Sequence, residues 1–199
     1  MLKIYLARHG QDEDNARGIL NGHRDTKLTE IGISQANELA QHLKEKQITF
    51  DKIYSSPLQR AYMTAQIIAD KLEVDLPEIN PALIERNFGI MTGKKIQEIE
   101  AFCTPDIIKA EKITYFLSPE NAETFPEMLV RAKTMLELIQ KRHEGGKVLF
   151  VCHGDIGKMI YAAFYDLSWQ EILTHFHFGN SELLVLDHSL YPEARHALS

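Results

Sequence analysis

Two rhythms of apolar residues run along the chain. Short continuous runs at 2–7 (Leu-Lys-Ile-Tyr-Leu-Ala) and 148–152 (Val-Leu-Phe-Val-Cys) have the length and β-branched content of buried strands. Shorter strands are expected at 52–55 and 182–187, and residues 77–83 read as extended. Elsewhere the spacing is helical. Thr29 reads as an N-cap, followed by Ile31, Ala36, Leu39, Ala40 and Leu43 on one face up to about Lys46. Ser56-Pro57 opens a second helix, with Pro57 near its first position and Ala61, Ala65, Ile68 and Leu72 as its apolar face. Residues 124–143 form a long amphipathic helix that Gly145-Gly146 stops, with its charges on a solvated face. A further helix spans 156–164, and a short one 94–102.

Between these elements, residues 11–27 are a polar loop with room for one helical turn, and 84–93 a glycine-containing loop. Residues 104–121 carry no readable rhythm. His175 and His177 alternate with Phe176 and Phe178 as on a half-buried strand, which gives them a structural role. Strands alternating with helices predict an α/β fold. The expected arrangement is a three-layer sandwich, with a mostly parallel central sheet and helices on both faces.

Composition narrows the class. At 199 residues, one domain is expected, large enough for a real core. A hydrophobic content of 44% and a charged content of 25% are those of a soluble globular protein. The formal net charge of −6 argues against nucleic acid or an anionic membrane as the main partner. No apolar stretch reaches spanning length, and residues 1–6 lack the layout of a signal peptide. Cys103 and Cys152 lie far apart, as suits a reducing cytoplasm, which is the expected location. Cys152 reads as a small buried residue on a strand, not a nucleophile.

The candidate chemistry sits where the two long strands end. Each runs into a His-Gly pair, Arg8-His9-Gly10 and His153-Gly154. In an open α/β sheet the carboxyl ends of the strands form the ligand crevice. A neutral imidazole is a nucleophile able to form a covalent intermediate. A guanidinium grips two phosphate oxygens with fixed geometry. Taken alone, the tripeptide is equally compatible with an exposed arginine and a hydrogen-bonded core histidine. Arg60 lies in the first turn of the helix after Ser55-Ser56-Pro57-Leu58-Gln59. A cation there gains nothing from the helix dipole, so it is explained either by a shared anion or as a solvated surface residue. Glu85 follows an apolar run into a loop. Partial burial would raise its pKa and suit it to proton donation; the other reading is a salt bridge with Arg86.

Taken in order, these motifs resemble the histidine phosphatase superfamily, in its phosphoglycerate mutase-like branch. The resemblance is carried by Leu6-Ala7-Arg8-His9-Gly10, Asn15, Asn21-Gly22, Leu28-Thr29-Glu30-Ile31-Gly32 with Gln35-Ala36, and Ser55-Ser56-Pro57-Leu58-Gln59-Arg60-Ala61 with Thr64-Ala65. Glu85, Glu123-Thr124-Phe125 and Val151-Cys152-His153-Gly154 complete it. It implies the phosphoglycerate mutase-like fold over residues 1–199, with a cap-like insertion at about 94–127. It also implies that His9 becomes phosphohistidine. Arg8, Arg60 and His153 clamp the phosphoryl group, Asn15 and the Gly22 backbone form the pocket wall, and Glu85 is the proton donor and then the base for water. The substrate would be a small phosphate ester. No metal or other cofactor is expected, and the nine histidines show no ligand spacing.

Asp12 departs from the family pattern, which has Thr or Ser at that position. A carboxylate repels phosphate where a hydroxyl donates to it, so Asp12 is expected to turn outward, to pair with Arg17 or Arg24, or to weaken binding. Two alternatives to a phosphomonoesterase follow. A phosphoglycerate mutase needs several cations for a sugar-acid carboxylate and second phosphate, but residues 94–127 offer only Lys94, Lys95, Lys109 and Lys112. A weakly active phospho-ligand-binding protein is favoured by Asp12 alone. Phe102, Tyr115, Phe116 and Leu117 read either as core or as an apolar substrate wall.

Overall fold

A computed structural model describes residues 2–111 and 113–188; Met1, Lys112 and residues 189–199 lie outside the described residues. Its main sheet has five strands in the order β3-β2-β6-β1-β7. These are β1 (Leu2–Arg8), β2 (Lys52–Ser55), β3 (Glu78–Ile79), β6 (Gly146–Cys152) and β7 (Leu183–Leu186). The pairs β1–β6, β2–β6 and β2–β3 are parallel, and β7 is antiparallel to β1. The α/β class and the mostly parallel sheet expected from the sequence are both present.

Alternation along the two central strands builds a core on each face. Ile4, Leu6, Val148, Phe150 and Cys152 point to one side, where α5 (Phe125–Arg142), α6 (Gly154–Tyr165) and α7 (Trp169–His175) cover them. Tyr5, Ala7, Leu149 and Val151 point to the other, under α2 (Glu30–Glu45) and α3 (Gln59–Leu72). The Cys152 thiol is fully buried and its pKa pushed up by that burial. It is therefore core, and not a nucleophile.

The remaining elements are α1 (Glu13–Arg17), α4 (Ile99–Cys103) and an antiparallel hairpin of β4 (Ile107–Lys109) and β5 (Thr114–Phe116). The hairpin fills the stretch that had no readable rhythm. Phe88, Met91, Ile99, Cys103 and Phe116 form a small separate apolar cluster beneath it.

Several boundaries differ from expectation for identifiable reasons. Pro57 is not the first residue of α3, which starts at Gln59 after a Leu58 N-cap without a side-chain cap. Instead the Gln59 N–H donates to Asp25 Oδ1 at 2.7 Å, so a distant loop caps the helix. Helix α5 ends at Arg142, and Gly146, at φ +91°, already opens β6. Residues 77–83 are extended only at β3, and Pro81–Leu83 close into a 3-10 turn capped by Asn80. His175 and His177 do not lie on a strand: His175 ends α7, both are exposed, and the flanking Phe176 and Phe178 are the buried partners. Trp169, Ile172, Leu173 and Phe176 recur at helical spacing, the signal that marks α7.

Helix α2 buttresses the loop after β1 at very short range. The Gln11 N–H donates to Gln35 Oε1 at 2.8 Å, and a Cβ on Gly32 would lie 2.0 Å from the Gln11 carbonyl oxygen. Gly→Ala inside an exposed helix normally gains about 1 kcal/mol. Here Gly32→Ala is expected to cost about 1–3 kcal/mol, as overpacking does. Urea unfolding measures it, and a stability gain would show that the loop moves aside freely.

Candidate active site

Three parallel strands end side by side, and their register assembles the site. Arg8 on β1 pairs with Cys152 on β6, and Ser55 on β2 with Val151. The next residues are therefore neighbours: the His9 N–H donates to the Cys152 carbonyl at 3.0 Å, and the Ser56 N–H to the Val151 carbonyl at 3.0 Å. This brings His9, His153 and Ser56 into one buried cluster. The two imidazole rings meet edge to face, with centroids 4.9 Å apart.

Each ring has a hydrogen bond, and that of His9 assigns its tautomer. His9 Nδ1 is 2.6 Å from the Gly10 carbonyl oxygen. A carbonyl only accepts, so Nδ1 carries the proton and Nε2 is left with its lone pair. The Gly10 carbonyl is itself fixed, because the Gly10 N–H donates to Thr64 Oγ1 at 3.2 Å. Burial, then Arg60 and Arg8, hold the His9 pKa well below its ordinary value, so the ring is neutral and nucleophilic. On His153, Nε2 lies 2.7 Å from Ser56 Oγ. That hydroxyl also accepts from the Leu58 N–H at 3.3 Å. His153 Nδ1 is buried and without a hydrogen-bond partner. Burial and the neighbouring cations lower this pKa too.

The arginines differ from each other. Arg8 donates from one terminal nitrogen to the Phe178 carbonyl at 2.8 Å, while its Nε is buried and unpartnered. Arg60, fully buried, donates to the Arg24 carbonyl at 2.6 Å and the Gly22 carbonyl at 2.9 Å. Each of its terminal nitrogens keeps one N–H for another acceptor. Gly22, at φ +49°, thus holds Arg60 in place.

Asp12 neither turns outward nor pairs with Arg17 or Arg24. It is fully buried and caps α1, with Oδ1 accepting from the Asn15 N–H at 2.8 Å. Its Oδ2 accepts from Asn21 Nδ2 at 2.7 Å and lies 3.2 Å from Arg60 Nε, too far off-axis for a hydrogen bond but close enough for an ion pair. Arg24 is bound instead to Asp14 at 2.7 Å. Asn15 accepts from Asn180 Nδ2 at 3.2 Å through its Oδ1, which leaves its NH₂ group as a donor on the cavity side.

Glu85 is buried at the N-terminus of α6. One of its oxygens accepts from the Arg86 and Ile156 N–H groups at 2.9 and 3.1 Å, and the other from the Asp155 N–H at 3.2 Å. These bonds favour the carboxylate, but burial and the Asp155 charge outweigh them and raise the pKa. Three of the four lone-pair positions are taken, so one remains for a proton. The Glu85–Arg86 salt bridge considered from sequence does not form. Arg86 pairs with Asp155 at 3.0 Å and lies over the Phe116 and Phe125 rings at 4.2 and 4.3 Å. It ties the hairpin to the core.

A cavity of about 140 Å³ lies beside this cluster, lined by Arg8, Asn15, Glu85, Gly154, Asp155, Lys158 and Tyr115, among others. Phe116 also lines it, Leu117 packs on the core, and Phe102 is exposed beneath Lys94. Lys158 and Asp155 escaped the sequence reading. Their signal is position: Lys158 lies four places beyond Gly154 and three beyond Asp155, the spacings that share a helix face. Among the described residues, no group of three or more His, Cys, Asp or Glu side chains is placed to hold a metal ion, and no helix is long and apolar enough to cross a membrane.

The Asp12–Arg60 pair has a measurable consequence. Removing one partner of a buried pair strands the other and costs roughly 3–5 kcal/mol. Asp12→Ala is expected to destabilise the protein on that scale, and inorganic phosphate should then raise its melting temperature more than that of the unaltered chain. Equal phosphate shifts in both proteins would separate Asp12 from the anion site.

The model of the histidine phosphatase superfamily (branch 1) matches residues 4–192. A 2,3-bisphosphoglycerate-dependent phosphoglycerate mutase of Methylobacterium sp. (strain 4-46) is 35% identical over 156 residues, 76% of this chain and 75% of the relative. Among solved structures, the phosphoserine phosphatase of Entamoeba histolytica in complex with 3-phosphoglyceric acid superposes with a TM-score of 0.76 at 29% identity, covering 93% of this chain and 90% of that one. Bacillus stearothermophilus YhfR superposes with a TM-score of 0.80 at 26% identity over 98% and 95%. The match spans both strand ends and every element that feeds the cavity: this chain belongs to the histidine phosphatase superfamily, branch 1.

Proposed function

We propose that the protein is a metal-independent phosphomonoesterase that acts through a phosphohistidine at His9 on a small phosphorylated metabolite. The observation that carries this reading is the state of His9. Its ring is buried and neutral, with Nδ1 tied to Gly10 and Nε2 free to attack. The phosphoryl group would meet Arg8, Arg60, the ring of His153 and the amide of Asn15. Phosphoryl transfer is mostly positioning and charge stabilisation, which such a cluster of donors supplies. In the first step the His9 Nε2–P bond forms as the ester P–O bond breaks, and Glu85 gives its proton to the leaving oxygen. In the second, Glu85 takes a proton from water as that water attacks the phosphohistidine. Inorganic phosphate leaves and both groups return to their starting states. The raised pKa of Glu85 suits an acid that must be protonated for the first step.

Engagement of the Asp12 carboxylate by Asn21 and Arg60 supports turnover over mere binding, since its charge is paired with a cation. A phosphoglycerate mutase is the second reading, favoured by the relative that is 35% identical. A turnover assay with an aryl phosphate in the presence of EDTA tests the first. Release of phosphate unaffected by chelation is expected; activity that needs added Mg²⁺ or Zn²⁺ would overturn it. Conversion of 3-phosphoglycerate to 2-phosphoglycerate, primed by bisphosphoglycerate and faster than phosphate release, would establish the second.

Two further outcomes follow from the charge states. His9 attacks only as the neutral ring, so turnover is lost as pH falls through a pKa below the ordinary 6.5. Glu85 donates only when protonated, so turnover of alkyl esters is lost as pH rises through a pKa above the ordinary 4.5. Glu85→Gln should slow alkyl ester hydrolysis on the order of 10²–10⁴-fold, while aryl esters, which leave unaided, should form phosphohistidine nearly as before. Equal losses on both ester types in a pH-rate series would make Glu85 structural.

A further inference from the structure

The cavity contains a cation that the phosphoryl-transfer steps do not use. Lys158 is only 3% exposed, yet among the described residues no carboxylate lies within 4.0 Å of its ammonium group. An ammonium carries three N–H donors. The partner recorded for Lys158 Nζ is the Tyr115 hydroxyl, and the ammonium also sits 4.7 Å from the Tyr115 ring centroid. Burying a charge this way is costly unless something pairs with it. The other charges of the cavity do not. Asp155 is taken by Arg86, and Glu85 by three backbone N–H groups.

Position says what Lys158 faces. Gly154, Asp155 and Lys158 lie on one side of α6 and all line the cavity. A Cβ on Gly154 would stand 3.6 Å from the Arg8 guanidinium carbon, so Gly154 marks the Arg8 end. Lys158 is one turn further along, about 5–6 Å in Cβ separation. Tyr115 reaches the same place from β5 and lines the same cavity. The cavity, about 140 Å³, is well below the size of a drug-type pocket, so both ends belong to one small ligand.

We infer that Lys158 and the Tyr115 hydroxyl form a second anion subsite that binds a carboxylate of the substrate, one helical turn from the phosphoryl site. The substrate class is then the phosphate ester of a small hydroxy acid. A carboxylate fits better than a second phosphate because the subsite offers a single positive charge, one ammonium beside a neutral hydroxyl. The phosphoryl site, by contrast, gathers two guanidiniums and an imidazole. This inference rests on the phosphomonoesterase reading and adds the substrate to it.

The test compares two esters that differ only in the group concerned. 3-Phosphoglycerate carries a carboxylate where glycerol 3-phosphate carries a hydroxymethyl group. The unaltered protein should show the higher kcat/KM on 3-phosphoglycerate, chiefly through KM. In Lys158→Met, which keeps the length of the side chain, the ratio of the two kcat/KM values should fall roughly 10- to 100-fold, the worth of a charge-assisted hydrogen bond. Tyr115→Phe keeps the ring and should lower the ratio in the same direction but less; it also serves if Lys158→Met does not fold. A ratio near one in the unaltered protein, or a ratio that neither variant changes, would overturn the subsite. So would equal losses on both esters, which would make the pair a strut between α6 and the hairpin. Calorimetric binding of both esters reads the same selectivity without turnover. Absence of turnover on any ester would then sink the phosphomonoesterase reading, whereas lost selectivity alone would sink the subsite.

Discussion

The structure depends on the in-register pairing of β1 with β6. Arg8 opposite Cys152 puts two histidines on adjacent strand ends, and it does so inside the protein, away from water. A shift of one residue would turn every side chain of β1 to the opposite face of the sheet. The register is therefore held by the whole apolar content of the two central strands, including Leu6 and Phe150 on one face and Ala7 and Val151 on the other. The same burial that stabilises the sheet takes the imidazoles out of solvent and keeps them neutral. Fold stability and nucleophile activation thus have one physical origin.

Burial also sets the charge balance. Buried guanidiniums are tolerable only with partners. Arg86 has Asp155 and aromatic faces, and Arg60 has Asp12 and two backbone carbonyls. Arg8 and Lys158 have no carboxylate partner among the described residues; of the two acids lining the cavity, Asp155 is paired with Arg86 and Glu85 has a raised pKa. The cleft is thus a positive hollow in a protein of net charge −6, as an anionic ligand requires. Asp12, which looked from sequence like an obstacle to phosphate, lies in the layer behind, where it neutralises Arg60.

How much of this was legible in the sequence varies with the range of the forces involved. The strands ending at His9 and His153 and the helices α2, α3 and α5 were readable, because each has a local apolar rhythm. Helix α7 was missed because Phe176 and Phe178 flanking His175 and His177 also fit a period of two, and the helical set of Trp169, Ile172, Leu173 and Phe176 competes with it. The β4–β5 hairpin was not legible, since three-residue strands have no period to detect. At the site, the local motifs around Arg8, His9, Arg60 and His153 are each modest signals that become specific through their order and intervals along the chain. The partner of Asp12, by contrast, lies 48 residues away at Arg60, and that of Lys158 lies 43 residues away at Tyr115. Such pairings come from tertiary packing, and no local pattern announces them.

The central claim is covalent: the phosphoryl group passes through His9. Rapid quenching of turnover with a ³²P-labelled phosphate ester, followed by peptide mapping, reads it directly. The account predicts label on the peptide containing His9, stable in base and lost in acid, and no label in His9→Ala. Turnover of that variant at the full rate, or label on any other residue, would contradict it.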